Sequence, residues 1–110
     1  ESVLMATIED FKKLQFVIAQ IKEVALHPDA DKLLVLKVDT GTEVRQIVAG
    51  IRRSYTPEQL VGRRIALVAN LEPAGIRGVE SQGMMLAASD EQGVSVLSPD
   101  REVLLGSTVK

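Results

Sequence analysis

The stretch "KLLVLKVDTGTEVRQIVAG", residues 32–50, decides the fold of this chain. Leu34, Leu36 and Val38 occupy alternate positions, and a period of two is typical of a β-strand with one buried face. The segment "TGTE" supplies turn residues, and "VRQIVAG" after it is again rich in residues that favour strands. The stretch therefore predicts two antiparallel strands joined as a β-hairpin.

Further strands are predicted on both sides of this hairpin. Before it, "QFVIAQIKEVALH" (15–27) is β-branched and mostly apolar, and the turn "PDAD" follows it. After it, we expect strands at "RRIALVANL" (63–71), "GMMLAAS" (83–89) and "GVSVLS" (93–98), with a loop at "EPAGIRG" (72–78). Alternation predicts that one of Met84 and Met85 faces the core and the other faces outward, and we place the alanines after them in the core.

Two short helices complete the pattern. "TIEDFKKL" has Thr7 as a candidate N-cap, and "SYTPEQLVG" (54–62) has Thr56 as a cap with Pro57 at the first helical position. The second helix lies between the third and fourth strands. The length of 110 residues fits one domain, residues 1–110. The order predicts an all-β fold, a five-stranded Greek-key barrel of the oligonucleotide/oligosaccharide-binding (OB) type, which buries short strands without long open edges.

The composition excludes several kinds of site. The chain has no cysteine, so neither a disulfide nor a thiolate metal site can form, and His27 is its single histidine. No apolar run approaches the roughly 18 residues that a membrane-spanning helix needs. We therefore expect no metal, no cofactor and no membrane contact, and a reduced, cytoplasmic compartment.

The charge is unevenly distributed. The net charge is −2, but the segment from Lys32 to Arg77 holds eight basic and four acidic residues, a local charge of +4. An anionic partner responds to the local patch, because charges are screened beyond about 8–10 Å. With only three aromatic residues in the chain, recognition of a nucleic acid would use shape, phosphate contacts and a few polar or sulfur contacts rather than base stacking.

Ser81 is the residue that a hydrolase would use, with His27 as the base. A nucleophile elbow needs a small residue two positions before the serine, and Val79 stands there. We therefore expect no catalysis, and keep a serine enzyme only as an alternative. "GIRG" (75–78) matches the Gly-x-x-Gly loop of KH domains, but that loop joins two helices and strand or loop segments flank this one.

Taken singly, the basic residues leave two interpretations open. Lys32 follows the turn "PDAD", and Arg52 and Arg53 follow the third predicted strand. Each can be an ordinary solvated side chain or a phosphate contact.

Several ordered blocks of sequence point to one family. "HPDADKLLVLKVDTG", "RQIVAGI", "YTPEQLVGRRIALVANLEP" and "GVESQGMMLAA", closing with "LSPD", resemble the tRNA-binding domain found at the C-terminus of bacterial methionyl-tRNA synthetases. The same domain occurs in stand-alone tRNA-binding proteins and in the monocyte-activating cytokine precursor. The resemblance covers nearly the whole chain. It implies an OB-type barrel with extra C-terminal strands, a homodimer, and binding of tRNA by its shape, in association with a synthetase catalytic domain or subunit.

The resemblance also implies a set of tRNA-contacting residues. Lys32, Ser81 and Met84 match family positions implicated in tRNA contact, and Asn70 and Arg77 match positions on the same face; Arg52 and Arg53 are added for their charge.

The chain departs from the family pattern at two places. An acid and an arginine are absent from the block Gln15, Phe16, Val17, Ile18, and a basic residue is absent where Gly75 stands. These differences keep a second hypothesis open, a protein-interaction or dimerisation OB domain whose tRNA binding is weakened or lost.

Overall fold

A computed structural model describes residues 4–110 of the chain. It begins with the short helix α1 (Ile8–Lys12), capped as the sequence predicts. The Thr7 hydroxyl accepts a hydrogen bond from the Asp10 N–H at 3.1 Å, and the Asp10 carboxylate accepts one from the Thr7 N–H at 3.0 Å. This reciprocal pair is a capping box. Phe11 of the helix stacks on Phe16, with ring centroids 5.3 Å apart.

Ten strands follow, with one more helix, α2 (Pro57–Leu60), between the third and fourth strands. The strands are β1 (Phe16–Leu26), β2 (Leu34–Asp39), β3 (Val44–Ala49), β4 (Arg64–Val68), β5 (Ala74–Ile76), β6 (Val79–Ser81), β7 (Met84–Met85), β8 (Ala87–Asp90), β9 (Gly93–Val96) and β10 (Thr108–Val109). The main sheet has the order β3-β2-β1-β4-β7, and its neighbours are antiparallel. The predicted OB-type barrel and the position of its helix are confirmed.

Strand β1 is long because it serves both sides of the barrel. Its first half pairs with β4, from Phe16 opposite Val68 to Gln20 opposite Arg64. Its second half pairs with β2, and a register shift between Ile21 and Glu23 marks a bulge. A bulge bends a strand and increases its twist, which lets one strand turn from one partner to the other.

The alternating apolar positions of these strands fill the core. The largest fully buried side chains come from β1 to β4 and from α2: Ile21, Leu34, Leu36, Val38, Ile47, Leu60, Ile65 and Leu67. Met85 is buried at 8% exposure and Met84 is 49% exposed, so the predicted division of the two methionines is confirmed. The hairpin that the sequence predicts at residues 32–50 is also confirmed, because β2 and β3 pair from Leu34 opposite Ala49 to Asp39 opposite Val44.

The free edge of β3 is covered by side chains of the "SQG" segment. Ser81 Oγ accepts a hydrogen bond from the Val48 N–H at 3.0 Å, and Gln82 Oε1 accepts one from the Gln46 N–H at 3.0 Å. In return, the Gln82 N–H donates to the Gln46 carbonyl at 2.8 Å. The barrel is thus closed largely by side chains that take the place of a regular ladder, which satisfies the amides of an otherwise open edge.

Gly83 allows this closure. Its φ is +147°, and a Cβ at this position would lie 2.9 Å from the Val68 carbonyl oxygen. No other residue fits so close to β4 without displacing backbone. This accounts for the glycine that precedes Met84 and Met85.

The predicted loop at residues 72–78 is wrong in part. Strands β5 and β6 form a hairpin there, with Ile76 opposite Val79 and Arg77-Gly78 as its two-residue turn. Both turn residues have positive φ, 51° and 90°, as a type I′ hairpin turn requires. The sequence did not predict this turn, because arginine stands at a position where asparagine, aspartate or glycine is usual.

The predicted strand at residues 83–89 is also wrong in its extent. It is divided at Leu86 into β7, which pairs with β4, and β8, which pairs with β9 in a separate two-stranded sheet. Ala87 and Ala88 lie on that outer hairpin and are exposed, whereas the sequence placed them in the core. The extra strands after the barrel are confirmed, and β10 returns to pair with the start of β1. Among residues 4–110, no helix is long and apolar enough to cross a membrane.

Candidate nucleic-acid interface

The turn between β1 and β2 forms the first wall of a cleft. Its ends are joined by a backbone hydrogen bond from the His27 N–H to the Leu33 carbonyl at 3.2 Å, and the Leu33 N–H donates to the Ala30 carbonyl at 3.3 Å. His27 Nδ1 also accepts a hydrogen bond from the Asp29 N–H at 3.0 Å. These bonds fix the predicted turn and leave Lys32 exposed on it.

The tip of the β5–β6 hairpin forms the second wall. His27 Nε2 lies 3.0 Å from the Ile76 carbonyl oxygen, and Arg77 Nη2 donates to the Asp29 carbonyl at 3.3 Å. Two segments about 50 residues apart in sequence are therefore held side by side. The hairpin carries Arg77 to the turn that carries Lys32.

The segment after β3 completes the cleft. The Arg52 N–H donates to the Lys32 carbonyl at 3.3 Å, and the Arg52 guanidinium donates to the Ala30 carbonyl at 3.4 Å. Arg52 thus stabilises the turn through two of its carbonyl groups and does not itself line the cleft. The cleft is lined by Asp29, Ala30, Asp31, Lys32, Leu33, Arg53 and Arg77.

Two basic residues of the central segment are paired with carboxylates. Arg45 is paired with Glu43 at 2.7 Å and Arg64 with Glu102 at 3.1 Å. Within residues 4–110, no carboxylate pair involves Lys32, Arg52, Arg53 or Arg77. The cations at the cleft are therefore available to an anionic ligand, and they adjoin the carboxylates of Asp29 and Asp31.

The three exposed cations of the cleft suit phosphate groups. Arginine offers a planar fork of donors to phosphate oxygens, and lysine acts as a point charge. Arg77 has a left-handed backbone, with φ of 51°, a conformation unfavourable by roughly 1–2 kcal/mol for a residue other than glycine. A strained residue at a cleft is a pointer to function.

The remaining predicted residues lie elsewhere. Asn70 connects the end of β4 to the segment after α1: its Oδ1 accepts from the Gln15 N–H and its Nδ2 donates to the Lys13 carbonyl, both at 2.7 Å. Ser81 is only 6% exposed. Met84 is half-exposed and lines a mainly apolar groove between the end of β3 and strands β7 to β9. The structure thus brings Lys32, Arg53 and Arg77 together with Arg52 behind them, and Asn70, Ser81 and Met84 do not line this cleft.

The serine-enzyme arrangement is absent from the described part of the chain. The Ser81 hydroxyl accepts from the Val48 N–H and donates to the Gly83 carbonyl. Both ring nitrogens of His27 have other partners, Ile76 and Asp29. No hydrogen bond joins the two side chains, so the base cannot take the proton of the hydroxyl. Residues 4–110 also contain no cluster of three or more side chains that could hold a metal ion.

Sequence reasoning does not find the structural role of two residues. It considers His27 only as the base of a serine enzyme and gives Gln82 no role, although the first joins two loops and the second closes the barrel. For Gln82, the sequence does contain a signal: a polar run at residues 80–82 that lies between two glycines. Its partners on β3 are more than 30 residues away, so the sequence does not identify them.

Comparisons with known proteins identify the family of the chain. The family described as "Putative tRNA binding domain" matches residues 16–108. The methionine–tRNA ligase of Pyrococcus horikoshii is 54% identical over 102 residues, which are 93% of this chain and 14% of that protein. The chain therefore spans about a seventh of the length of this relative.

Two solved structures have the same fold. A methionyl-tRNA synthetase-related protein from Pyrococcus horikoshii superposes with a TM-score of 0.89 at 36% identity, covering 96% of this chain and 98% of that one. The CsaA chaperone protein from Picrophilus torridus superposes with a TM-score of 0.90 at 29% identity, covering 96% and 100%.

Proposed function

The chain belongs to the family of tRNA-binding domains, and from this premise we propose that it is a single, non-catalytic module that holds tRNA at the cleft of Lys32, Arg53 and Arg77. One observation carries this location. The cleft is built by the β1–β2 turn and by the connection between β4 and β7, the fourth and fifth strands of the barrel. OB-folds bind oligonucleotides with these two connections and the adjoining strands.

We propose that recognition depends on phosphate and shape. Phe11 stacks on Phe16, and the Tyr55 hydroxyl accepts a hydrogen bond from the Val96 N–H while Arg63 lies over its ring. None of these aromatic side chains lines the cleft. Unpaired bases therefore cannot stack on aromatic rings in the cleft. The cleft can instead contact the sugar-phosphate backbone of a folded RNA.

The relatives suggest a biological setting for this module. Methionine–tRNA ligases carry a homologous segment within a much longer chain. A tRNA-binding module that is linked to, or associated with, a synthetase catalytic domain raises the effective concentration of tRNA near the active site and aids aminoacylation. We propose this role for the chain, in the cytoplasm and as a homodimer. A monomeric mass measured by light scattering at micromolar concentration would contradict the homodimer.

The test is a titration of bulk tRNA at several salt concentrations, with duplex DNA as competitor. Each phosphate that a cation neutralises contributes a slope of about −0.7 to −0.9 in log K against log salt, so three cations predict a slope of about −2 to −3. We expect tRNA to be preferred over the duplex, because recognition is by shape. Binding that does not depend on salt, or no binding at low salt, would contradict the proposal.

A protein-interaction domain is the second candidate. Two observations favour it: the CsaA structure is that of a chaperone, and an apolar groove is exposed beside Met84. Under this hypothesis the chain would form a stable complex with a synthetase or another protein and give no shift with tRNA. The same titration, repeated with a catalytic domain of the methionine–tRNA ligase in place of tRNA, separates the two.

A further inference from the structure

We infer that His27 is a positioning residue of the tRNA site, because it holds the β5–β6 hairpin against the β1–β2 turn and so sets the place of Arg77 relative to Lys32. The inference rests on the proposed function. It assigns a role to a buried side chain that does not touch the ligand.

The hydrogen bonds of His27 fix its protonation. The imidazole is only 3% exposed. Nδ1 is 3.0 Å from the Asp29 amide, which can only donate, so Nδ1 must be the acceptor. Nε2 is 3.0 Å from the Ile76 carbonyl, which can only accept, so Nε2 must carry the proton. The ring is therefore the neutral tautomer with its proton on Nε2.

This tautomer connects two loops with one side chain. Through Nδ1 the ring holds the turn that carries Lys32, and through Nε2 it holds the last residue of β5 before Arg77.

The hairpin has a fixed base, and the histidine fixes its tip. At the base, the Gln46 side chain donates to the Glu80 carbonyl at 2.9 Å, and Ser81 bonds to Val48. At the tip, the polar contacts with the turn are the His27 bond to Ile76 and the longer bond from Arg77 to the Asp29 carbonyl. The Arg77 bond is the longer of the two and comes from an exposed side chain, whereas His27 is buried, so the His27 bond is the firmer tie at the tip.

Two substitutions separate the two bonds of the ring. In His27→Asn, the amide oxygen can take the place of Nδ1 and accept from Asp29, but nothing reaches Ile76. In His27→Gln, the amide nitrogen can take the place of Nε2 and donate to Ile76, but the acceptor for Asp29 is lost. Circular dichroism and thermal unfolding show that each variant is folded before its tRNA binding is compared.

The decisive measurement combines these variants with Arg77→Ala and Lys32→Ala. In the natural chain, we expect Arg77→Ala to reduce the salt slope by about 0.7–0.9, so that the fall in affinity between 50 and 200 mM salt becomes about threefold smaller. In the His27→Asn background, we expect Arg77→Ala to have little further effect, because the hairpin tip is already displaced. In the His27→Gln background its effect returns. Lys32→Ala should reduce the slope in all three backgrounds.

A role for His27 in stability alone would give another result. His27→Asn and Arg77→Ala would then act additively, and His27→Gln would not restore the effect of Arg77; either outcome overturns the inference. The ring ¹⁵N spectrum of the chain is an independent check, since His27 is the single histidine, and a proton on Nδ1 would also overturn it. If the natural chain does not bind tRNA, the proposed function fails. The tautomer measurement still tests whether His27 donates to the Ile76 carbonyl.

Discussion

Ser81 and Val48 are joined by a hydrogen bond of 3.0 Å in which the backbone N–H of β3 donates to the serine hydroxyl, and that hydroxyl donates in turn to the Gly83 carbonyl at 3.0 Å. A buried side chain with both of its hydrogen bonds used inside the protein closes the barrel. The resemblance implied a role for Ser81 in tRNA contact. The geometry suggests that its hydroxyl shapes the adjoining surface from within.

We expect Ser81→Ala to lower the free energy of unfolding by about 1–3 kcal/mol, because it leaves the partly buried Val48 amide without its acceptor. Chemical denaturation measures this, and Ser95→Ala on the exposed face of β9 is the control. The salt slope of tRNA binding should stay unchanged. Weaker tRNA binding with full stability would instead show that the hydroxyl contacts the RNA.

We expect Lys32→Ala to reduce the salt slope of tRNA binding by about 0.7–0.9, because one phosphate contact is removed. Stability should change little, since the side chain is exposed. Lys12→Ala is the matched control: it removes the same charge from α1, at the opposite end of β1 from the turn. Equal effects of the two substitutions would mean that only net charge matters.

We expect Arg77→Asn to change stability and binding in opposite directions. Asparagine adopts a positive φ more readily than arginine, so the hairpin turn should gain up to about 1 kcal/mol. Without the guanidinium, tRNA binding should weaken and the salt slope should fall. Thermal unfolding and tRNA titration of the same preparation measure both. Arg77→Ala loses the same bond to the Asp29 carbonyl and is the reference; an asparagine variant no more stable than this alanine variant would contradict the strain at this position.

We expect Asn70→Ala to reduce stability by about 1 kcal/mol, because it removes two hydrogen bonds between Asn70 and the segment after α1. For a chain of this size the unfolding temperature should fall by about 4 °C. Asn70→Asp keeps the acceptor for the Gln15 N–H but sets a carboxylate oxygen against the Lys13 carbonyl, so it should also be destabilising if the second bond matters. Reduced tRNA affinity without any change in stability would favour the direct contact that the resemblance implies.

We expect Gly75→Lys to strengthen tRNA binding, since it restores a basic residue on the hairpin beside the cleft. A Cβ at Gly75 meets no atom within 4 Å, so the side chain fits. Glu80 lies opposite on β6 and would attract the new lysine, so Gly75→Lys combined with Glu80→Gln should give the larger gain. Gly75→Ala should have no effect on binding. Unchanged affinity in the double variant would place the hairpin away from the RNA.

The sequence was sufficient where the signal was local. Thr7 caps its helix through Asp10, three residues away, and alternating apolar residues place Leu34, Leu36 and Val38 in the core. Where the signal was not local, prediction was wrong. Arg77 is an unusual residue for a type I′ turn, and Ala87 is apolar but belongs to a hairpin outside the barrel. Small apolar residues do not reveal which sheet they join.

By itself the sequence determined the barrel, its helix and the family, because the periods of strands and the caps of helices depend on neighbours within a few residues. Only the tertiary structure decided which of the many basic residues meet. Arg77 joins Lys32 and Arg53 in one cleft because His27 bonds to Ile76, 49 residues away, while Arg45 and Arg64 are paired with carboxylates. It also decided that Ser81 faces inward, because its partner on β3 is 33 residues distant. The direction of a polar side chain depends on the donor or acceptor that the fold brings to it, and that partner is not a local property of the chain.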